Sequence, residues 1–224
     1  RLTVSQHDCS VAAAVRALAP DTLILMDTVS GFLGAELRVD DWGIDVALTS
    51  SQKAFALPPG IAFASVSDRV IERAKTVKNR GYYFDFVTIE EALLKNNTTS
   101  TPPISLMFAA DKQLDDILAE GLANRWARHT AMRDVTHQWA LNHGFGLFAQ
   151  EGYRSVTVTA VDNRGRNVDV DAMAKFMSKQ KAFTMDKGYG KIKGKTFRVA
   201  HMGDMDMATL EEYLDGLDEY LKQS

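Results

Sequence analysis

The chain has a single cysteine, Cys9, among its 224 residues. One cysteine rules out an internal disulfide framework and fits a reducing compartment, so a cytoplasmic protein is expected. Excess positive charge is also missing: 26 basic residues face 29 acidic ones, a formal net charge of −3, with no broad basic surface for nucleic acid. No apolar run reaches the length of a membrane span, and no charged-then-apolar leader opens the sequence. The last residues, Lys222-Gln223-Ser224, are not a peroxisomal address. The five histidines lack metal-ligand spacing and are expected at the surface or as caps, with no metal bound. There is no GxGxxG, no nucleotide-type phosphate loop, no internal repeat and no low-complexity segment.

What remains is alternation. Val11 to Leu18 is Ala-rich and free of breakers, a short helix. The apolar run Leu23–Met26 ends in Asp27, which places that acid at the tip of a buried strand. A second run, Ile44 to Leu48, leads through Ser50-Ser51-Gln52 to Lys53. Pro58-Pro59-Gly60 precedes a third small strand at Ile61–Ser65, and Ser67-Asp68 caps a helix running to about Val77. Strands alternating with helices predict an α/β fold with a mostly parallel sheet. Gly81–Phe86 is aromatic and irregular, expected as a hydrophobic plug between layers ahead of any ligand contact. Asn96–Pro103 carries the breakers of a loop. Ile104 to His143 is helical, divided near Glu120-Gly121, with Leu106, Ala110, Leu114, Ile117 and Leu118 on a core face. A strand at Ser155–Val161, a helix at Val170–Ser178, a strand at Thr196–His201 and a helix at Ala208–Leu221 predict a smaller C-terminal α/β domain.

Two strand tips of an α/β sheet present Asp27 and Lys53 to one crevice, where such folds bind ligands. That pair suits pyridoxal 5'-phosphate: a lysine amine forms a Schiff base with its aldehyde, and a carboxylate keeps its pyridine nitrogen protonated. Arg198 lies in Lys195-Thr196-Phe197-Arg198-Val199-Ala200-His201-Met202-Gly203, a strand followed by glycine. Its planar fork matches a carboxylate with two parallel hydrogen bonds, although on its own it also reads as an exposed arginine at a strand edge.

The blocks Met26-Asp27-Thr28-Val29-Ser30, Trp42-Gly43-Ile44-Asp45, Ser50-Ser51-Gln52-Lys53-Ala54 and Pro58-Pro59-Gly60 resemble the class V aminotransferases, particularly the serine–pyruvate and alanine–glyoxylate branch, with Ser50 where glycine is common. The resemblance implies the pyridoxal-phosphate-dependent transferase fold of the aspartate aminotransferase type. Residues 1–105 would be the second half of its large cofactor-binding domain, and residues 106–224 a linking helix and the small C-terminal domain. It implies transfer of an amino group from serine or alanine to pyruvate or glyoxylate. Lys53 would be the catalytic lysine, Asp27 the partner of the ring nitrogen, and Val29 the apolar surface against the ring. Gln52 would bond the ring oxygen and Arg198 the substrate carboxylate. Ser10, in His7-Asp8-Cys9-Ser10, would place a hydroxyl near the phenolic oxygen, with a helix N-cap as the equal alternative. Ser100, before Thr101-Pro102-Pro103-Ile104-Ser105, would reach a partner's cofactor phosphate across a homodimer, while Asn97 stands where a tyrosine is usual. The family's first strands and phosphate-gripping helix would precede Arg1-Leu2-Thr3-Val4, itself strand-like. A lyase, an epimerase, a kynureninase-like hydrolase and a truncated chain without activity stay open as alternatives.

Overall fold

A computed structural model describes residues 8–223. The expected strand at Arg1–Val4 and His7 lie outside the described residues. In chain order the elements are α1 (Asp8–Leu18), β1 (Leu25–Asp27), β2 (Val46–Ser50), β3 (Ala62–Val66), α2 (Asp68–Lys75), α3 (Phe86–Leu93), α4 (Ile104–Glu120), α5 (Leu122–Asn142), β4 (Gly146–Leu147), β5 (Val158–Asp162), α6 (Val170–Gln180), a 3-10 turn (Gly190–Ile192), β6 (Thr196–Ala200) and α7 (Met207–Leu221).

The strands form two three-stranded sheets, β1-β2-β3 and β4-β5-β6. In the first, β1 and β2 run parallel with Asp27 opposite Leu48, whereas β2 and β3 run antiparallel. Among the described strands the first sheet thus has one parallel and one antiparallel pairing. Residues 51–61, with their Pro-Pro-Gly, are too short to hold a crossover helix, so β3 folds straight back on β2. The second sheet is antiparallel throughout. The Leu23–Met26 run is not buried on both faces either: Met26 is buried, but Leu25 is 65% exposed on the edge strand β1.

Asp45 of the Trp-Gly-Ile-Asp block explains how the first sheet is anchored. It is buried and accepts hydrogen bonds from the Arg16 guanidinium at 2.8 Å, Ile24 N at 2.8 Å and Ser67 Oγ at 3.2 Å. One carboxylate thus ties α1, β1 and the start of α2 at the edge opposite Asp27. Ser67 holds the N-cap position of α2 but spends its hydroxyl on Asp45, not on the helix. True side-chain caps stand at Asp85, Asp169 and Asp206, each accepting from a backbone N–H of the following turn.

The expected aromatic plug is overturned: Tyr82, Tyr83 and Phe84 are exposed, Tyr82 by 90%. Asp85, held by Arg80 at 2.7 Å and Thr88 at 2.7 Å, starts α3 and turns the aromatics outward. Together with Glu91, Lys95, Asn97 and Thr99 the two tyrosines line a shallow cavity of about 290 Å³ that shares no residue with the Asp27 edge.

The long helical stretch does divide at Gly121, whose φ of +82° suits glycine. On α4, Ala110 and Ile117 pack with Leu33, Ala54 and Phe55, but Leu114 and Leu118 are exposed, so its apolar face is narrower than the spacing suggested. α5 passes into a second core in which Met132, Trp139, Phe145, Met173, Met177, Phe197, Leu210 and Leu217 lie between β4-β5-β6 and helices α5, α6 and α7. Each fully buried large side chain there contributes roughly 1.5–3 kcal/mol.

Candidate active site

Parallel pairing of β1 and β2 brings both strand ends to one edge. Beyond Asp27, Thr28 donates from N at 2.9 Å and from Oγ1 at 2.7 Å to Leu48 O, which locks the turn onto β2. The Asp27 carboxylate is exposed and accepts from Val29 N at 3.2 Å, an Asx turn that fixes the side chain at the strand tip. Val29 is half-buried beside it.

Lys53 lies on the β2–β3 connection, which its neighbours make rigid. Ser51 is wholly buried, its Oγ donating to Pro58 O at 2.7 Å and its N to Ile61 O at 3.0 Å. Ala56 N donates to Lys53 O at 2.9 Å, with Ala56 in the left-handed region at φ +62°. Lys53 itself is half-buried and Gln52 exposed.

Behind this turn stands a charged cluster on α4, α5 and the loop after β6. Arg125 is wholly buried and donates to Ala54 O at 2.9 Å, to Glu120 at 2.7 Å and to Asp204 at 3.0 Å. Arg128 binds both oxygens of Glu120 and the carbonyls of Gly203 and Met205. The Arg128 guanidinium, with Arg125 beside it, holds the Glu120 carboxyl below the usual range. Gly203 presses against the Lys53 turn: a Cβ there would meet Ala56 at 3.1 Å and Lys53 O at 3.5 Å, and its φ is +76°. His129 Nε2 accepts from Gly203 N at 3.1 Å, so Nδ1, 2.7 Å from Arg125 O, carries the proton of a neutral imidazole. Burial, first of all, holds His129 below its ordinary pKa.

The second sheet is docked onto the same edge. Thr157 Oγ1 donates to Ser30 O at 2.6 Å, and Gly34 packs so tightly that a Cβ would lie 2.2 Å from the Thr157 methyl group. Arg198 is exposed on β6, but its fork is filled. Nε donates to Asp186 Oδ1 at 2.9 Å and Nη2 to Oδ2 at 2.5 Å. Ser10 lies inside the first turn of α1 and not before it, which removes the N-cap alternative. Ser100 is exposed in the loop ahead of α4, its carbonyl accepting from Thr98 Oγ1 at 2.8 Å. That loop leads to Leu106, against which Gly60 of the Lys53 connection packs. The parallel strand ends thus bring Asp27, Val29, Gln52 and Lys53 to one edge, while Arg198 lies on β6 of the second sheet, paired with Asp186.

Residues 9–190 match the class V aminotransferase family. The chain belongs to the class V aminotransferases. A soluble hydrogenase small subunit of Synechococcus sp. is 32% identical over 81% of this chain and 47% of its own length. A serine–glyoxylate aminotransferase of Arabidopsis thaliana is 33% identical over 89% of this chain and 50% of its own length. Among solved structures, alanine–glyoxylate aminotransferase from Nostoc sp. superposes with a TM-score of 0.85 at 28% identity, covering 94% of this chain and 56% of that one. The chain spans about half the length of the curated relatives it matches. The neighbours carry the fold type expected from the resemblance.

Arg125, Arg128, Glu120 and Asp204 went unnoticed in the sequence of this class V chain because a buried arginine breaks the apolar pattern that marks a core face. The spacing of Arg125, His129, Met132, Thr136 and Trp139, all buried, was the available signal. The histidines also correct the expectation of surface or capping roles: His129 and His201 are wholly buried. Among the described residues no cluster of three or more His, Cys, Asp or Glu side chains could hold a metal ion, and no helix is long and apolar enough to cross a membrane.

His201 carries a prediction. Its Nε2 meets Thr159 Oγ1 at 2.8 Å, while Nδ1 finds no hydrogen-bond partner among the described residues. Burial pushes it down to about 4 from 6.5, and half-buried His137 likewise falls to about 4. The folded state then binds fewer protons than the unfolded one, so stability is full above pH 6.5 and falls as the pH drops toward 4. For His201 the loss reaches on the order of 3 kcal/mol at the bottom of that window. Urea unfolding at pH 7.5 and pH 5 is expected to show the decline above the carboxylate range, flattened in His201→Asn. Equal stability at both pH values in the unsubstituted chain would refute it.

Proposed function

We propose that this chain contributes the Asp27, Lys53 and Arg198 side of a pyridoxal-phosphate-dependent aminotransferase site. The reaction would move an amino group from a small amino acid, serine or alanine, to pyruvate or glyoxylate. The observation that carries this reading is the parallel β1–β2 pairing, which sets a carboxylate and a clamped lysine turn on one edge. A carboxylate and an amine there fit the two ends of the cofactor's ring, the nitrogen and the aldehyde. When bound, pyridoxal phosphate supplies the electron sink for Cα chemistry.

Asp27 holds a proton at the ring nitrogen by charge pairing. Val29 offers a stiff apolar surface to the ring face, Gln52 bonds the ring oxygen, and Ser10 adds a hydroxyl at the start of α1. Lys53 would hold the cofactor through its amine and would move a proton at the substrate's Cα. Arg198 orients the α-carboxylate with its fork. Ser100 lies on a loop suited to reach a second copy, and a homodimer accounts for the exposed Tyr82, Tyr83 and Phe84. The same reading divides the chain into a large-domain part, residues 1–105, and a linking helix with a small domain, residues 106–224, in a cytoplasmic enzyme.

The test is titration with pyridoxal phosphate followed by a panel of amino donors. A visible absorption band of bound cofactor is expected, with L-serine consumed only when pyruvate or glyoxylate is present and L-alanine only when glyoxylate is present. Product formed without an acceptor would assign a lyase instead. Absence of any cofactor band would remove the proposal for this chain.

A further inference from the structure

We propose that Asp186 is a specificity-determining residue, a built-in carboxylate that holds Arg198 until a substrate carboxylate displaces it and that turns away substrates with an anionic side chain. The inference rests on the reading of Arg198 as the carboxylate fork and deepens it to a substrate class.

Asp186 sits directly across from Arg198. Arg198 N donates to Asp186 O at 3.0 Å in an isolated antiparallel bridge, so the two side chains emerge on the same face. The bidentate pair is the geometry an α-carboxylate would take. Both side chains remain 43–44% exposed, so the pair is screened by water and breaks at small cost. The backbone under Asp186 does not give way as easily. Gly188 N donates to Asp186 Oδ1 at 2.8 Å, and at φ +80° Gly188 lies so close to Thr196 O that a Cβ would meet it at 2.7 Å. Displacement therefore rotates a side chain about a fixed turn, and the negative charge stays beside the site.

The resident charge decides what this excludes. Arg198, foremost, and the Gly188 N–H hold the Asp186 carboxyl below its usual range, so it stays an anion beside the fork. With Asp186 on its flank, the Arg198 fork has room for one carboxylate, taken in the same two-pronged geometry. A substrate with a second carboxylate meets Asp186 instead of a cation, and like charges at close range repel. A neutral small side chain meets no such opposition.

The test uses inert carboxylates, so that binding is read without turnover. Propionate and succinate are titrated calorimetrically into the cofactor-loaded protein and its Asp186→Asn, Asp186→Glu and Arg198→Gln variants. Asp186→Asn is expected to tighten propionate roughly two- to fivefold, the range of an exposed ion pair, and succinate by a larger factor. Asp186→Glu keeps the charge and is expected to keep the preference for propionate. Unchanged midpoints of thermal unfolding confirm that folding is not the cause. Arg198→Gln weakening both ligands, with Asp186→Asn leaving both affinities unaltered, would overturn the inference and leave the aminotransferase reading standing. Arg198→Gln without effect on either ligand would overturn both the carboxylate fork and this inference.

Discussion

Lys53→Ala is expected to lower turnover by at least ~10²–10⁴-fold, the range for loss of a positioned proton-transfer group, and more where attachment of the cofactor is lost with it. The fold should survive the change. What holds the turn is backbone and Ser51: the Ala56 N to Lys53 O bond, the Ser51 Oγ to Pro58 O bond and the Ser51 N to Ile61 O bond involve no Lys53 side-chain atom. Removing a half-buried lysine side chain from such a turn changes stability by about 0.5 kcal/mol or less. Lys53→Arg should be no better than alanine, because a guanidinium stays protonated and cannot serve as a base. The measurement pairs steady-state rates with the visible band of bound cofactor and the urea midpoint. A variant retaining both band and turnover would sink the assignment, and one that simply unfolded would show it in the midpoint.

The legible parts of the sequence were those in which chemistry and pattern coincide. Asp27 and Lys53 each follow an apolar run, and a run ending in a polar residue marks a strand tip whatever the rest of the fold does. The break at Gly121 was legible for the same reason, since glycine interrupts a long helical pattern and here adopts positive φ. Strand direction was harder to read. Whether β3 runs with or against β2 depends on the length of the connection, and residues 51–61 look alike in either case until the absence of a crossover helix is weighed. The aromatic segment at Tyr82–Phe84 misled because hydrophobicity does not say which way a chain turns; Asp85, by capping α3, sent it outward. The pairing of Arg198 with Asp186 was invisible because it joins residues across an isolated bridge with an irregular segment between them. The charged cluster behind Lys53 was missed for a related reason, since burial of Arg125 becomes favourable only when Glu120, Asp204 and Ala54 O converge from three separate segments.

That convergence sets the second large effect. Arg125→Ala is expected to destabilise the chain by about 3 kcal/mol, the lower end of the range for removing one partner from a buried ion pair. The lower end applies because the groups left behind are unequal. Glu120 keeps Arg128, which already binds both its oxygens, and Asp204 is more than half exposed and can turn to water. Ala54 O, by contrast, loses its Arg125 donor inside the core, and the cavity left by a wholly buried arginine lies against the Lys53 turn. The Arg125 Nε already lacks a partner among the described residues, so part of the cost of burying this cation is present in the native state and is relieved on its removal. Arg125→Met fills the volume without the charge and should recover part of the loss, leaving the unsatisfied Ala54 carbonyl as the remainder. Urea denaturation of the three proteins separates these contributions. The site should also register the change, because Ala54 immediately follows Lys53: cofactor affinity should fall in Arg125→Ala even where the chain stays folded. A loss below about 1 kcal/mol with cofactor affinity intact would show that Gly203 and Ser51 alone hold the lysine turn in place.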